Sequence, residues 1–301
     1  MLSFAPVTIA DRDTIQTFFD KSIFRNCDFS FSNIFSWEHL YDTAFAVAEN
    51  GYLCIHFQPE DYLPGYLFPL GTDDLKTALE CLMQDAAGRN NELRLYAVTR
   101  EMFDLIEKAM PGRFLYEPDR DWFEYIYSSD DLIHLIGKKY QSKRNHIHKF
   151  KRTYRWEYLP ITQEIIPDCL DLYERWCREN GGCNQEQLLI EERIATQKVF
   201  ANYERLGIAG GALRINGEIL AYSYGQPLTA DTFGVHAEKC LYGIDGGFAM
   251  MNQQFAEYNC AGYRYINREE DLGLESLRRA KMSYHPAILL EKGIVTKKGN
   301  G

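Results

Sequence analysis

A dense group of charged and amide side chains lies between residues 267 and 286 of this 301-residue chain. The group opens with Asn-Arg-Glu-Glu-Asp-Leu-Gly at Asn267 and continues with Leu-Arg-Arg-Ala-Lys at Leu277. A strand is predicted directly before it, and loops that follow strand ends often bind ligands because the sheet holds them rigidly. A loop that only solubilises a surface does not need acids and bases so close together. The segment therefore predicts a functional site.

The acidic and basic parts of this segment suggest different tasks. Glu269 and Asp271 are expected to bind the ammonium group of an activated amino-acid donor, which Asn267 would orient from the strand end. Arg278 and Lys281, about one helical turn apart, are expected to contact a phosphate or the oxyanion that develops when an ester is attacked. The alternative is a self-satisfied salt-bridge cluster that packs the last helix against the sheet.

His236 and Glu238 lie two residues apart in a predicted strand, so their side chains should share one face of the sheet. If that face lines a cleft, Glu238 would orient His236 or accept a proton from an attacking amine. The alternative is a buried pair in which the two side chains satisfy each other. The sequence by itself does not separate these interpretations.

A basic segment at 138–155 holds eight Lys and Arg residues and no acid, in a chain whose net charge is −10. The usual interpretation of such a helix is a solvated polar face. Exposed helices usually mix the two signs of charge, however, so a series of unpaired cations favours a bound anion. The anion would be a tRNA acceptor end, a phosphate-bearing small molecule or a lipid head group. The residues expected to bind it are Lys139, Lys143, Arg144 and Asn145.

The glycine-rich turn at 243–247 precedes a predicted helix. In enzymes that use acetyl-coenzyme A, such a turn presents free backbone amides to the pyrophosphate. Here Asp245 stands where the N-cap residue is expected, and its carboxylate would bond those amides and repel phosphate. We therefore expect coenzyme A to bind weakly or not at all, and we expect no other cofactor.

Composition disfavours several other classes of protein. The cysteines include no Cys-x-x-Cys pair, and His146 and His148 lie in a basic run that repels cations, so no metal site is expected. A general nucleic-acid binder would spread its positive charge over a whole face. The N-terminus lacks a signal-peptide pattern and no stretch predicts a membrane span, so we expect a cytoplasmic protein. The oligomeric state stays open.

The elements that position these residues follow one order in both halves of the chain. In the second half, two helices precede a hairpin with an Asn216-Gly217 turn, a strand, a helix and a further strand. The first half has a hairpin at Asn50-Gly51 and a helix that Thr72 is expected to cap. This is the order of a GNAT (acyl-CoA N-acyltransferase) domain. We predict an α+β fold with two tandem GNAT-like domains, 1–134 and 135–301, each a mixed, mostly antiparallel sheet flanked by helices.

Particular segments also resemble a known family. They are FSFSNIFSW (29–37), DRDWFEYIY (119–127), GKKYQSKRNHIHKF (137–150), HAEK (236–239) and the stretch 267–286. The chain resembles the bacterial family whose domain forms the C-terminal catalytic part of phosphatidylglycerol lysyltransferases, a family related in fold to Fem-type peptidyltransferases. The resemblance implies transfer of an aminoacyl group from aminoacyl-tRNA to a lipid or peptide amine or hydroxyl. The lipid enzymes also carry a multi-pass membrane domain, which is not expected in this chain.

Three functions therefore stay open. The first is direct attack of an acceptor amine or hydroxyl on an activated acyl donor, and the second is acetyl-CoA-dependent N-acetyltransfer on the same fold. The third is a non-catalytic module that retains the cleft to sense an anionic ligand. The Asp245 turn separates the first two functions. Mutual satisfaction of His236, Glu238 and the groups at 267–281, closed to solvent, would support the third.

Overall fold

Two compact units make up the chain in the computed structural model, which describes residues 2–49, 51–58, 63–72, 74–180 and 187–299. The first unit contains Met1–Glu124, Glu270–Arg278 and Leu289–Gly301, and the second contains Tyr125–Glu269 and Arg279–Ile288. The domain division at 134/135 stays a prediction. The compact units differ from it because two C-terminal segments return to the first unit.

Helices flank the sheets in both units. Their bounds are α1 (Arg12–Phe19), α2 (Phe31–Ser36), α3 (Glu38–Tyr41), α4 (Leu75–Gly88), α5 (Arg100–Ala109), α6 (Ser129–His134), α7 (Gln141–Thr153), α8 (Ile166–Glu179), α9 (Gln187–Ala201), α10 (Tyr203–Leu206), α11 (Gly247–Asn259) and α12 (Glu275–Met282).

Strands of two to twelve residues form the two sheets. Their bounds are β1 (Ala5–Pro6), β2 (Ala44–Val47), β3 (Leu53–Phe57), β4 (Gly65–Tyr66), β5 (Arg94–Thr99), β6 (Phe114–Pro118), β7 (Glu124–Ser128), β8 (Trp156–Pro160), β9 (Ala209–Ile215), β10 (Glu218–Thr229), β11 (Thr232–Cys240), β12 (Tyr265–Asn267), β13 (Ile288–Leu290) and β14 (Lys292–Lys297).

The first sheet has the strand order β1-β2-β3-β4-β5-β14-β6. Its β4–β5 pair is parallel, and its other pairs are antiparallel. The last strand of the chain, β14, therefore lies in the interior of the first sheet. β14 was not among the predicted strands, although Val295 is fully buried there.

The second sheet has the order β13-β7-β12-β11-β10-β9-β8. The β11–β12 pair is parallel, while β7–β12, β10–β11, β9–β10 and β8–β9 are antiparallel. Helices α7 and α11 pack on this sheet through Ile147, Phe150, Met250 and Phe255, which belong to one buried apolar cluster. The predicted α+β fold with two mixed, mostly antiparallel sheets is confirmed.

Local sequence signals differ in how well they predict the elements. The Asn216-Gly217 hairpin is confirmed, and both residues have the positive φ (53° and 100°) that such a two-residue turn requires. β2 and β3 also pair as predicted, while Asn50 lies outside the described residues. The Thr72 cap is wrong: the Asp74 carboxylate accepts the N–H of Lys76 at 3.1 Å and caps α4.

Candidate active site

Strands β11 and β12 separate in the second unit just where polar residues begin. Their parallel ladder pairs Thr232 with Tyr265 and ends with Gly234 opposite Asn267. β11 continues to Cys240. The segment that follows β12 turns away at Glu269, which has a left-handed φ of 59°. The backbones no longer pair beyond this point, so side chains occupy the opening between the two chain segments.

A β-bulge places His236 at this opening. Tyr224 pairs with Ala237 and Gly225 pairs with Val235, so His236 is an extra residue in β11 without a ladder partner. A Cβ atom at Gly225 would collide with the backbone carbonyl of the neighbouring strand. Glycine therefore permits the close approach of β10 and β11 that accompanies the bulge.

Two side-chain pairs bridge the opening in place of backbone hydrogen bonds. His236 Nδ1 lies 2.8 Å from Glu269 Oε1, and Arg268 Nη2 donates to Glu238 Oε1 at 3.1 Å. The amide of Asn252 also contacts Glu238, at 3.3 Å. The carboxylate that holds His236 is therefore Glu269 and not the expected Glu238, because the bulge changes the spacing along β11.

Sequence reasoning missed Arg268 as a member of this site. Its side chain is only 12% exposed. Burial by itself would lower the pKa of its guanidinium, but Glu238 and the nearby hydroxyls of Tyr127 and Tyr284 raise that pKa above its usual value. The Asn267-Arg268-Glu269 sequence did carry a signal for Arg268. In extended backbone just after a strand, neighbouring side chains face opposite sides, so Arg268 should have different surroundings from Asn267 and Glu269.

Lys281 and Asn267 hold the backbone that carries Arg268 and Glu269. The buried ammonium of Lys281 donates to the carbonyls of Arg268 at 2.6 Å and Glu269 at 3.2 Å. Asn267 Oδ1 accepts the N–H of Glu269 at 2.8 Å. These contacts fix the left-handed turn at Glu269. The expected roles of Lys281 in oxyanion contact and Asn267 in donor orientation stay predictions.

Arg278 and Asp271 lie in the first unit and bond each other. Arg278 Nε and Nη2 donate to the two Asp271 carboxylate oxygens at 2.8 and 2.9 Å, and Nη2 also donates to Asp121 at 2.7 Å. Asp271 is fully buried. Its hydrogen bonds to Asp271 and Asp121 raise the pKa of Arg278 further above its usual range. This arrangement is the salt-bridge cluster named above as the alternative to an oxyanion contact.

The four residues expected to bind an anion each bond a neighbouring group of the protein. Lys139 pairs with Asp131 at 3.1 Å, and Asn145 accepts from Gln141 at 2.8 Å. Arg144 donates to the carbonyls of Leu135 and Gly137. Lys143 donates to Ser283 and lies over the Tyr284 ring.

The outward face of α7 carries the cations that are open to solvent. A depression of about 470 Å³ there is lined by Asn145, His148, Lys151 and Arg152. In the described part of the chain, no acid forms an ion pair with Lys151 or Arg152. Unpaired cations were expected to bind an anion. Lys151 and Arg152 on this face meet that condition better than Lys139 or Arg144 does.

The expected N-cap at Asp245 is wrong. The residue before α11 is Gly246, whose φ of 79° is left-handed, and no side chain caps the helix there. The Asp245 carboxylate instead pairs with Lys149 and lies 3.8 Å from His146. A Cβ atom at Gly246 would contact the His146 carbonyl oxygen, so the α7 backbone packs closely against this turn.

A second buried ionic cluster, also missed, lies in the first unit. The ammonium of Lys292 is 2.6 Å from Glu124, 2.8 Å from Asp28 and 3.8 Å from Glu270. Burial raises the pKa of Glu124 to about 7. Ligand atoms of Cys27, Glu124 and Glu270 lie within 4.8 Å of one another, as metal ligands do, but the Lys292 ammonium already lies beside both carboxylates and supplies positive charge there. The expectation of no metal stays a prediction.

Comparisons with known proteins place this chain in a family. The family model described as phosphatidylglycerol lysyltransferase, C-terminal, matches residues 21–294. A conserved protein of unknown function from Bacteroides thetaiotaomicron VPI-5482 is 45% identical, with 99% of this chain and 100% of that chain covered and a TM-score of 0.94. L-PGS from Bacillus licheniformis is 16% identical, with 97% and 93% covered and a TM-score of 0.66. No curated protein sequence matches the chain.

More distant structures identify the fold. FemX is 8% identical over 98% of this chain and 96% of its own, with a TM-score of 0.57. A tandem GNAT protein from the clavulanic acid biosynthesis pathway is 8% identical over the whole of both chains, with a TM-score of 0.50. The predicted tandem GNAT fold and the relation in fold to Fem-type proteins are confirmed. In the described part of the chain, no helix has the length and apolar character to cross a membrane.

Proposed function

The chain belongs to the family of phosphatidylglycerol lysyltransferase C-terminal domains, and from this premise we propose that it transfers an aminoacyl group from aminoacyl-tRNA to a lipid or peptide acceptor. The observation that carries the proposal is the His236–Glu269 pair at the opening between β11 and β12. An imidazole held by a carboxylate is suited to accept a proton from an attacking nucleophile. The proposal places the reaction in the cytoplasm, where aminoacyl-tRNA is present.

The chemistry requires little more than position and proton transfer, because an aminoacyl ester is already activated. An acceptor amine attacks the ester carbonyl, a C–N bond forms, and the C–O bond to the terminal ribose breaks. His236 takes the proton that the amine loses and returns a proton to the leaving ribose hydroxyl. Glu269 holds the imidazole and stabilises its protonated form, as carboxylates do in catalytic triads. Lys281 and Asn267 keep Glu269 in place through the backbone contacts described above.

The outward face of α7 supports a tRNA donor. His148, Lys151 and Arg152 are exposed on one side of the helix and line a shared depression. Cations that neutralise phosphates release counterions, so binding at this face should weaken as salt is added. Phosphates of a tRNA acceptor end match this row of charges.

We also propose that coenzyme A is not the donor, on grounds other than a helix cap. The Asp245 carboxylate stands in the turn before α11, close to where a pyrophosphate would approach the helix amides. The backbone of α7 covers the same turn at Gly246. A negative side chain and a carbonyl oxygen at this position both oppose phosphate binding.

A second candidate is a binding module without catalytic activity. The side chains of His236, Glu238 and Arg268 are 4%, 11% and 12% exposed, and each has an ionic partner. Such mutual satisfaction is the property that distinguishes a structural cluster from a site that waits for substrate. A module of this kind would bind the anionic ligand through α7 and transfer nothing.

Mass spectrometry of reaction products separates these functions. The full chain is incubated with mixed aminoacyl-tRNAs or with acetyl-coenzyme A, together with phospholipid vesicles or amine-bearing peptides. The proposal predicts aminoacylated lipid or peptide with the tRNA donor and no acetylated product with acetyl-coenzyme A. Acetylated product would support the second enzyme class, and binding of tRNA without any product would support the module.

A further inference from the structure

Lys143 has an unusual environment for an ammonium group. It lies on the inner side of α7 and is half-buried. Its Nζ donates to Ser283 Oγ at 2.7 Å and lies 3.9 Å from the centroid of the Tyr284 ring. Among the residues that the structure describes, no carboxylate forms an ion pair with Lys143. A half-buried cation is thus satisfied by one hydroxyl and one aromatic face.

A second cation shares the same aromatic ring. The guanidinium carbon of Arg268 lies 5.3 Å from the centroid of Tyr284. Burial lowers the pKa of Lys143, the charge of Arg268 lowers it further, and Glu238 partly offsets both effects. Glu238 is already paired with Arg268, and Glu269 is paired with His236. Both carboxylates therefore already have side-chain partners, while the charge of Lys143 has no paired carboxylate among the described residues.

We propose that Lys143, with Arg268 behind the shared Tyr284 ring, forms a subsite for a phosphate group of the substrate. An ammonium has three N–H donors, and Ser283 and the ring account for two of them, so one donor stays available for a phosphate oxygen. A dianion there would relieve the repulsion between the two cations. The subsite is distinct from the outward face of α7, because Lys143 contacts Ser283 and Tyr284 while Lys151 lines the depression with His148 and Arg152.

This inference rests on the proposed function, in which the phosphate comes from one of two sources. The terminal nucleotide of a tRNA donor carries a phosphate on an adenosine, for which AMP is a probe. A lipid acceptor carries a phosphate on glycerol, for which glycerol 3-phosphate is a probe. Inorganic phosphate tests the chemistry that the two sources share.

NMR of the full chain with isotope-labelled lysine side chains tests the subsite directly. The Lys143 signal is assigned by its loss in Lys143→Met. We expect inorganic phosphate to shift this signal saturably, and we expect AMP or glycerol 3-phosphate to do so at lower concentration, which identifies the source. No saturable shift of the Lys143 signal with any of the three would overturn the inference, and Lys143→Arg provides the assignment if Lys143→Met does not fold.

A matched pair of variants gives the second measurement. Calorimetric titration with the better probe should show affinity reduced about tenfold or more in Lys143→Met, as expected for a lost charged hydrogen bond. Lys108→Met removes the same charge from the exposed last turn of α5 in the first unit and should bind the small probe as the wild type does. Equal losses in both variants would show a general charge effect and contradict the subsite. Phosphate binding without aminoacyl transfer would refute the proposed function but support the subsite. Aminoacyl transfer without phosphate binding would support the proposed function but refute the subsite.

Discussion

At the scale of single residues, the sequence predicts which charged side chains form the site in the second unit. It does not predict which of them pair with each other. Glu238 was expected to orient His236, but His236 pairs with Glu269, which was expected to bind the donor ammonium. The partner of Glu238 is Arg268, which the sequence analysis left out. Pairing depends on how the bulge in β11 rotates each side chain, and residue spacing alone does not contain that information.

The Glu238–Arg268 pair gives a prediction about stability. Glu238→Gln keeps the shape of the side chain but leaves a buried guanidinium without its carboxylate. We expect a loss of about 3 to 5 kcal/mol in the free energy of unfolding, measured by urea titration. Glu157→Gln is the control, because Glu157 pairs with Arg214 on the surface and should cost at most about 1 kcal/mol. Similar losses in the two variants would show that the buried pair has no special role.

At the scale of elements, the hairpins were predictable and the helix start was not. Asn216-Gly217 specifies its turn locally, since both residues tolerate positive φ. Asp is a residue type that often caps helices, and an N-cap residue needs an extended backbone. Here the chain enters α11 through Gly246, whose backbone is left-handed, so Asp245 does not cap the helix. The packing of α7 against Gly246 sets this geometry. Such a tertiary contact is not visible in a local pattern.

The bulge in β11 is tested by adding one methyl group. Gly225→Ala places a Cβ against the carbonyl of the neighbouring strand, and the strain should cost about 1 to 3 kcal/mol of unfolding free energy. Gly262→Ala is the matched control, because a Cβ there meets no atom within 4 Å in the described structure. Thermal melting of both variants measures the difference. If Gly225→Ala had the same melting temperature as the wild type, the close approach of β10 and β11 would not be rigid.

At the scale of the whole molecule, both sheets and their mostly antiparallel character follow from the order of elements. The interior position of β14 does not follow, because Glu291, Lys292 and Gly293 give its start the look of a polar tail. Lys292 enters a buried cluster with Asp28, Glu124 and Glu270, which come from distant parts of the chain. Contacts between residues so far apart in sequence have no local signature.

This cluster predicts a pH dependence of stability. The pKa of folded Glu124 is about 7, against an ordinary value of 4.5, so the folded state binds more protons between these values. Its contribution to stability is therefore present at low pH and lost as pH rises through this window, measured by denaturation at about pH 5 and about pH 8. Glu124→Gln resembles the protonated form and should gain stability relative to the wild type over that range. If the wild type instead gained stability relative to Glu124→Gln as the pH rises, the pKa of Glu124 would be lowered in the folded state, which contradicts the prediction.

The central claim, that the His236–Glu269 pair performs aminoacyl transfer, is tested most directly by following a labelled amino acid. Label from aminoacyl-tRNA is counted in lipid or peptide products formed by the wild type, by Glu269→Gln and by the surface control Glu157→Gln, each verified as folded by thermal melting. The account predicts product with the wild type and the control, and roughly a hundredfold or greater loss of rate with Glu269→Gln. Transfer by Glu269→Gln at the wild-type rate, or a wild type that binds the tRNA and forms no product, would contradict it.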